Sequence, residues 1–316
     1  MNRTYSLLLW MLSATARRSV VSSFVATTRT TTSKSNQFLR IRPSSSFASM
    51  SMSSSSSRND RVVEEEVNSN IVGNLEHVRS KVEAACETAG RPVESVRLVA
   101  VSKTKPLSYI KEAYYKCGQK SFGENYAQEL EEKAREMGAD QDYNGDIAWH
   151  FIGGLQSNKA AKLVKNVVPF GKLVVETVNS EKVANKLNNA MVANFGGDDD
   201  KDNQLDVFVQ VNTSGEDTKS GLGVEESIEL CKHIVENCER LKLKGVMTIG
   251  APGDVDCLEQ LGACRERVAG ALGNDGNELE LSMGMSGDYE TAIAKGSTNV
   301  RVGSTIFGER DYSNKN

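Results

Sequence analysis

Several things are scarce in this sequence, and each scarcity excludes something. Among its 316 residues no apolar run approaches the roughly 20 that a bilayer-spanning helix requires; the longest clean stretch near the start is Leu7 to Leu12. A membrane-spanning protein is therefore not expected. The three histidines, His77, His150 and His233, are scattered, so no nucleophile–base pair can be assembled from them and a hydrolase triad finds no support. The six cysteines include no C-x-x-C pair and no nearby His at metal-ligand spacing, which argues against a metal site. Cys231/Cys238 and Cys257/Cys264 stand seven apart, one helix face each, the pattern of small buried apolar residues. No G-x-G-x-x-G follows the first strand, which weakens a dinucleotide-binding fold.

Acidic residues are absent from one region only. Residues 1–59 hold eight Lys and Arg, 17 Ser and 7 Thr but no Asp or Glu, so this segment carries +8 and residues 60–316 carry −12 of the net −4. An acidic body is not that of a general nucleic-acid binder, which neutralises phosphates with clustered Lys and Arg. The Arg- and Ser-rich leader has the composition of an organelle transit peptide, mitochondrial or plastid, with a merely disordered tail as the alternative. Met50 or Met52 would start a shorter cytoplasmic form. The fold is expected in residues 60–316.

From there short β-branched runs alternate with helical patterns. An opening helix, Arg61 to Ala89, carries Val63, Val67, Ile71, Leu75 and Val78 on one face and stops at Gly90. Strands are expected at Val96–Val101, Lys120–Gly123, Trp149–Gly153, Leu173–Val178, Leu205–Val211, Leu243–Ile249, Leu279–Met283 and Asn299–Val302, each but the last followed by a helix. Among the intervening helices, Asn125 to Met137 reads as a charged surface helix, and Gly196 to Gln204 as a solvated acidic loop. Eight strands in this alternation favour closure into an α/β (β/α)8 barrel of the TIM type over an open doubly wound sheet.

In such barrels the chemistry lies just past the strands, in the βα loops. Along the first strand Val99, Val101 and Lys103 share one face, and Leu98, Ala100 and Ser102 the other. Lys103 therefore sits at the rim, facing either the barrel interior or the helices. A partly desolvated amine there is suited to a Schiff base with a carbonyl compound; the alternative is a Lys that reaches solvent or pairs with a carboxylate. The loops after strands seven and eight read Met285-Ser286-Gly287-Asp288 and Val302-Gly303-Ser304-Thr305. Small residues let backbone N–H groups approach a phosphate and hydroxyls add donors, although turn and capping chemistry uses the same residues. Arg301 inside the last strand needs an acceptor if it points inward, and a ligand atom would provide one. A Schiff-base Lys, a phosphate cradle and an Arg together describe a phosphorylated aldehyde, with pyridoxal 5′-phosphate the obvious candidate.

The motifs VRLVAVSKTKP (Val96 to Pro106), FGENYAQE (Phe122 to Glu129), WHFIGGLQSNK (Trp149 to Lys159), KSGLG (Lys219 to Gly223) and LSMGMSGDYETAIAKGSTNVRVGSTIFGERDY (Leu281 to Tyr312) closely resemble those of the pyridoxal phosphate homeostasis protein family. The resemblance runs in order from about residue 70 to 312. It implies a single barrel related to the N-terminal domain of alanine racemase, with pyridoxal phosphate held as an internal aldimine on Lys103, not Lys105. By similarity Ser286, Gly303, Ser304 and Thr305 bind the phosphate, Arg301 faces the pyridine nitrogen and Asn125 lies near the cofactor. An Arg beside that nitrogen discourages ring protonation and makes the cofactor a poorer electron sink.

Racemases and decarboxylases of this barrel type carry a further β domain, which about a dozen residues after the last strand would not supply. The expectation is a monomeric carrier that buffers pyridoxal phosphate or delivers it to dependent apoenzymes, with no catalytic residue and no robust turnover. A racemase-type enzyme completed by dimerisation and a cofactor-free Schiff-base aldolase acting on a sugar phosphate stay open as alternatives. Neither nucleic acid nor membrane is expected as a partner.

Overall fold

In the run Lys172–Val178, KLVVETV, the six residues after Lys172 are all buried, as in a strand covered on both faces in a parallel sheet. The computed structural model of the protein describes residues 70–196, 203–214, 220–251, 253–273 and 275–309. In it α1 (Ile71–Thr88) precedes β1 (Arg97–Val101), α2 (Leu107–Cys117), β2 (Ser121–Glu124), α3 (Ala127–Gly138) and β3 (Ala148–Phe151). There follow α4 (Ala160–Val167), β4 (Lys172–Val178), α5 (Glu181–Phe195), β5 (Leu205–Gln210), α6 (Val224–Asn237) and β6 (Leu241–Met247). The order closes with α7 (Val255–Leu272), β7 (Glu280–Ser282), α8 (Tyr289–Ala294), β8 (Asn299–Val302) and α9 (Ser304–Phe307). All strand pairs are parallel, and β8 returns to β1 to close the barrel.

Helix ends follow local chemistry. The Asn70, Ser180 and Asp254 side chains accept backbone N–H groups of the first turns of α1, α5 and α7. Gly118 closes α2 in the left-handed region at φ 63°, where a side chain would be strained. The main apolar core lies between the strands and the helical ring, whereas the barrel interior holds a small separate cluster of Val174, Phe208 and Met247, with Val99 and Ile152 also buried there. That interior also takes polar side chains, among them His150, Glu176, Ser282, Asn299 and Arg301.

Some expectations need correction. The opening helix begins at Ile71 behind its Asn70 cap, and residues 61–69, including Val63 and Val67, lie outside the described residues, as do the leader, Met50, Met52 and the boundary at residue 60. The last strand is also followed by a helix, the single turn of α9. Helix α3 is not wholly a surface element, because Glu131 and Lys133 are buried. Cys238 caps α6 rather than lying within it, yet both cysteine pairs are buried and free, as small apolar residues would be. Burial pushes the Cys231 thiol up to about 12 and the Cys264 thiol to about 11. Most of the acidic loop and Lys219 lie outside the described residues.

The β2 and β3 ends meet closely at the barrel mouth. A Cβ at Gly153 would stand 1.9 Å from the backbone oxygen of Asn125 and 2.7 Å from its carbonyl carbon. Backbone cannot give way as a side chain can. Gly153→Ala is expected to destabilise the fold by about 1–3 kcal/mol in urea denaturation; an unchanged midpoint would refute this close contact.

Candidate functional site

The pairing of β1 with β8 decides which way the rim residues face. Val99 stands opposite Arg301, and both are buried on the inner side, whereas Ala100 belongs to the core outside the barrel. Two residues beyond Val101 the same alternation brings Lys103 to the mouth of the barrel. There Lys103, Ser286, Arg301, Gly303 and Ser304 line one cavity of about 340 Å³ together with Val101 and Ile152. The size suits a small molecule. Asn125 and Thr305 are not among its lining residues: Thr305 is exposed on the single turn of α9, and Asn125 stands just past β2 with its side-chain oxygen buried and without a partner among the described residues.

The loops after β7 and β8 are joined to each other. The Gly303 N–H donates to Ser286 Oγ at 3.1 Å. A Cβ at Gly303 would lie 3.2 Å from the Val101 carbonyl, so a small residue lets the two strands approach. In α9 the first intrahelical donors are Ile306 and Phe307, both bonded to Gly303 O, so the Ser304 and Thr305 N–H groups precede the intrahelical ladder. The cavity thus has hydroxyl and amide donors on one side and an amine on the other.

Arg301 does point inward, but its acceptors belong to the protein. It donates to Ser282 Oγ at 2.6 Å and to the Thr248 carbonyl at 2.7 Å, with Glu176 Oε2 at 3.9 Å. The acceptor expected for an inward Arg301 is thus present as Ser282 and the Thr248 carbonyl; a ligand atom, offered as one source of it, is not required, and Arg301 still lines the cavity. Beneath it, Glu176 accepts from Ser282 Oγ at 2.5 Å and Asn299 Nδ2 at 3.0 Å and lies 2.5 Å from His150 Nδ1. Burial would raise the Glu176 carboxyl; His150, Arg301 and Ser282 outweigh it and hold the group at about 2. Burial draws the Arg301 guanidinium below its ordinary value, against the opposing charge of Glu176. This network was missed by the sequence reading, which treated His150 as isolated. Its one signal was alternation, since His150 shares the inner face with Ile152, and Glu176 with Val174.

The tip of β1 is tied down from outside the barrel. Thr104 adopts φ 62°, a strained conformation for a β-branched residue that costs about 1–3 kcal/mol and persists only where its surroundings fix it. Its N–H donates to Glu129 Oε1 at 2.6 Å. Buried Glu124 accepts from Ser102 Oγ at 2.7 Å and from Lys133 Nζ at 2.7 Å. Burial is the main cause that pushes the Glu124 carboxyl up to about 7, with Lys133 opposing it.

Known proteins place this geometry. The family model described as alanine racemase, N-terminal domain, matches residues 73–311. The chain is 43% identical over 249 residues to the pyridoxal phosphate homeostasis protein of Homo sapiens, covering 76% of this chain and 87% of that one. It is 41% identical over 251 residues to the protein of the same name from Escherichia coli K12, covering 78% and 99%. The chain belongs to the pyridoxal phosphate homeostasis protein family. Among solved structures, PipY of Synechococcus elongatus with PLP bound matches at a TM-score of 0.59 and 29% identity, over 75% of this chain and all of that one. In the present chain the family's motifs VSKTKP, GMSGD and VRVGST are the segments that meet at the cavity.

The buried carboxylate under Arg301 links stability to pH. Its folded value of about 2 lies below the ordinary 4.5, so its contribution is present above pH 4.5 and is lost as pH falls from there toward 2. The contribution is about 3 kcal/mol at neutral pH. Glu176→Gln is expected to lower the urea midpoint at pH 7 and to flatten the acid limb between those values. An acid limb that is the same in both proteins would refute the assignment.

Proposed function

We propose that this protein holds pyridoxal 5′-phosphate on Lys103 at the mouth of its barrel and serves to buffer the cofactor and deliver it to dependent apoenzymes. The observation that carries the reading is the single cavity in which Lys103 faces Ser286, Gly303 and Ser304. Pyridoxal phosphate brings an aldehyde that condenses with an amine with loss of water, and a phosphate that needs several donors at once. The residues fit those demands. Lys103 supplies the amine, Ser286 Oγ and the amides of Gly303, Ser304 and Thr305 supply donors, and the cavity has the volume of a small ligand. The Gly303 N–H, which donates to Ser286 Oγ, and the Ser286 hydroxyl would both be within one loop junction to hold the phosphate. Arg301, held by Ser282 and Thr248, keeps a cationic group at the cavity floor. Asn125, whose buried oxygen lacks a partner, stands on the adjoining strand end as a further polar contact.

Slow turnover fits the same lining. Besides Lys103, the described residues around the cavity include Lys105, whose Nζ donates to the Glu309 carbonyl, but no carboxylate or imidazole. Two-sided proton transfer of the kind racemisation demands would have, among the described lining residues, only Lys105 beside Lys103, and its ammonium is engaged with the Glu309 carbonyl. The homeostasis proteins matched over three quarters of the chain likewise favour a carrier over a racemase or an aldolase.

Purified protein mixed with pyridoxal phosphate is expected to turn yellow, and borohydride reduction to leave one pyridoxyl group on Lys103. Lys103→Ala should abolish the colour. Ser286→Ala should keep it but weaken binding by about tenfold, the value of a hydrogen bond to a charged group. A colourless protein, or full labelling of Lys103→Ala, would refute the proposal.

A further inference from the structure

Two carboxylates of the FGENYAQE motif and one lysine of α3 have no place in the cavity, yet they converge on the backbone that presents Lys103. Lys133 is 6% exposed, and its ammonium has three donors and three acceptors: Ser102 O at 2.8 Å, Glu124 Oε1 at 2.7 Å and Glu129 Oε1 at 2.6 Å. The same Glu129 oxygen accepts the Thr104 N–H at 2.6 Å. Ser102 is held again through its hydroxyl, which donates to Glu124 at 2.7 Å. The residues immediately before and after Lys103 are therefore both fastened to one helix, and the residue after it is kept in a left-handed conformation that threonine avoids when free.

We propose that Glu129 and Lys133 are positioning residues for Lys103: they fix the tip of β1 so that its amine stays aimed into the cavity. This rests on Lys103 being the amine that captures the aldehyde. Without the Glu129 carboxylate, Thr104 is released toward ordinary extended backbone, Lys133 loses one acceptor, and Lys103 leaves its direction. Among the described residues the hydrogen bonds and ion pairs of Glu124, Glu129 and Lys133 run to Ser102, Thr104 and one another, not to the loops after β7 and β8, so anion binding is expected to change less than capture. Glu129 suits the test because its side chain retains 23% exposure, which lets it be shortened without emptying the core.

The experiment uses the full chain as wild type, Glu129→Ala and Glu129→Gln, with Lys133→Met as a second removal of the clamp. Growth of the visible band after mixing with pyridoxal phosphate gives the capture rate. Inorganic phosphate as competitor reports the anion grip, and peptide mapping after borohydride locates the label. Glu129→Ala should slow capture by about tenfold or more while phosphate competition changes less than about twofold, as expected for a misdirected amine. Lys133→Met should act in the same direction. Glu129→Gln, whose amide oxygen still accepts from Thr104, should recover most of the rate. Capture at the wild-type rate in Glu129→Ala, parallel loss of phosphate competition, or no recovery in Glu129→Gln would overturn the proposal. Absence of label at Lys103 in wild type would instead overturn the function on which it rests, and this inference with it.

Discussion

The parallel ladder between β1 and β8 is the constraint on which the site depends. Register there sets Val99 against Arg301 and Ala100 against Val302, so one strand face looks into the barrel and the other into the helical ring. Because the side-chain period of a strand is two, slipping this ladder by one residue would send Lys103 out among the helices and Ala100 inward. Closure also brings the first strand beside the last. An amine near residue 100 and donors near residue 300 thereby reach one cavity although some two hundred residues separate them in the chain.

Below that cavity the barrel trades apolar filling for a charged layer. Glu176, His150, Ser282, Asn299 and Arg301 are linked to one another at 2.5–3.0 Å, with His150 Nε2 left buried and without a partner among the described residues, and Arg301 closes the layer at the cavity floor. A buried guanidinium without such partners would carry a large desolvation cost, and removing one partner leaves that cost uncompensated. Structure and chemistry are coupled here: the carboxylate facing Arg301 opposes the burial that draws the guanidinium below its ordinary value, and is itself held well below the usual carboxylate range. A second buried cluster, Glu124 with Lys133 and Glu129, does the corresponding work on the outer side of β1.

Much of this was legible in the sequence, for identifiable reasons. Alternation of β-branched runs with helical segments marked all eight strands, and β8 falls at Asn299–Val302 as expected. Ser180 and Asp254 cap α5 and α7 through side chains next to the turns they bind, which is local chemistry. What failed depends on contacts distant in sequence. Helix α3, AQELEEKAREMG, carries charges in the pattern of a solvated face, and nothing local shows that Lys133 meets the end of β1. His150 and Glu176 lie 26 residues apart, and only the register of β3 and β4 turns both inward. Thr104 is not a residue type that announces a left-handed turn, and the Glu129 carboxylate that accepts its N–H lies 25 residues on. Of the site residues expected, Lys103, Ser286, Arg301, Gly303 and Ser304 line the cavity, whereas Asn125 and Thr305 stand beside it.

The decisive measurement is a crystal structure of the protein grown with pyridoxal phosphate. Continuous density is expected from Lys103 Nζ to the cofactor's aldehyde carbon, with the phosphate against Ser286, Gly303 and Ser304. Cofactor density on another lysine, or a phosphate lying away from the loops after β7 and β8, would contradict it.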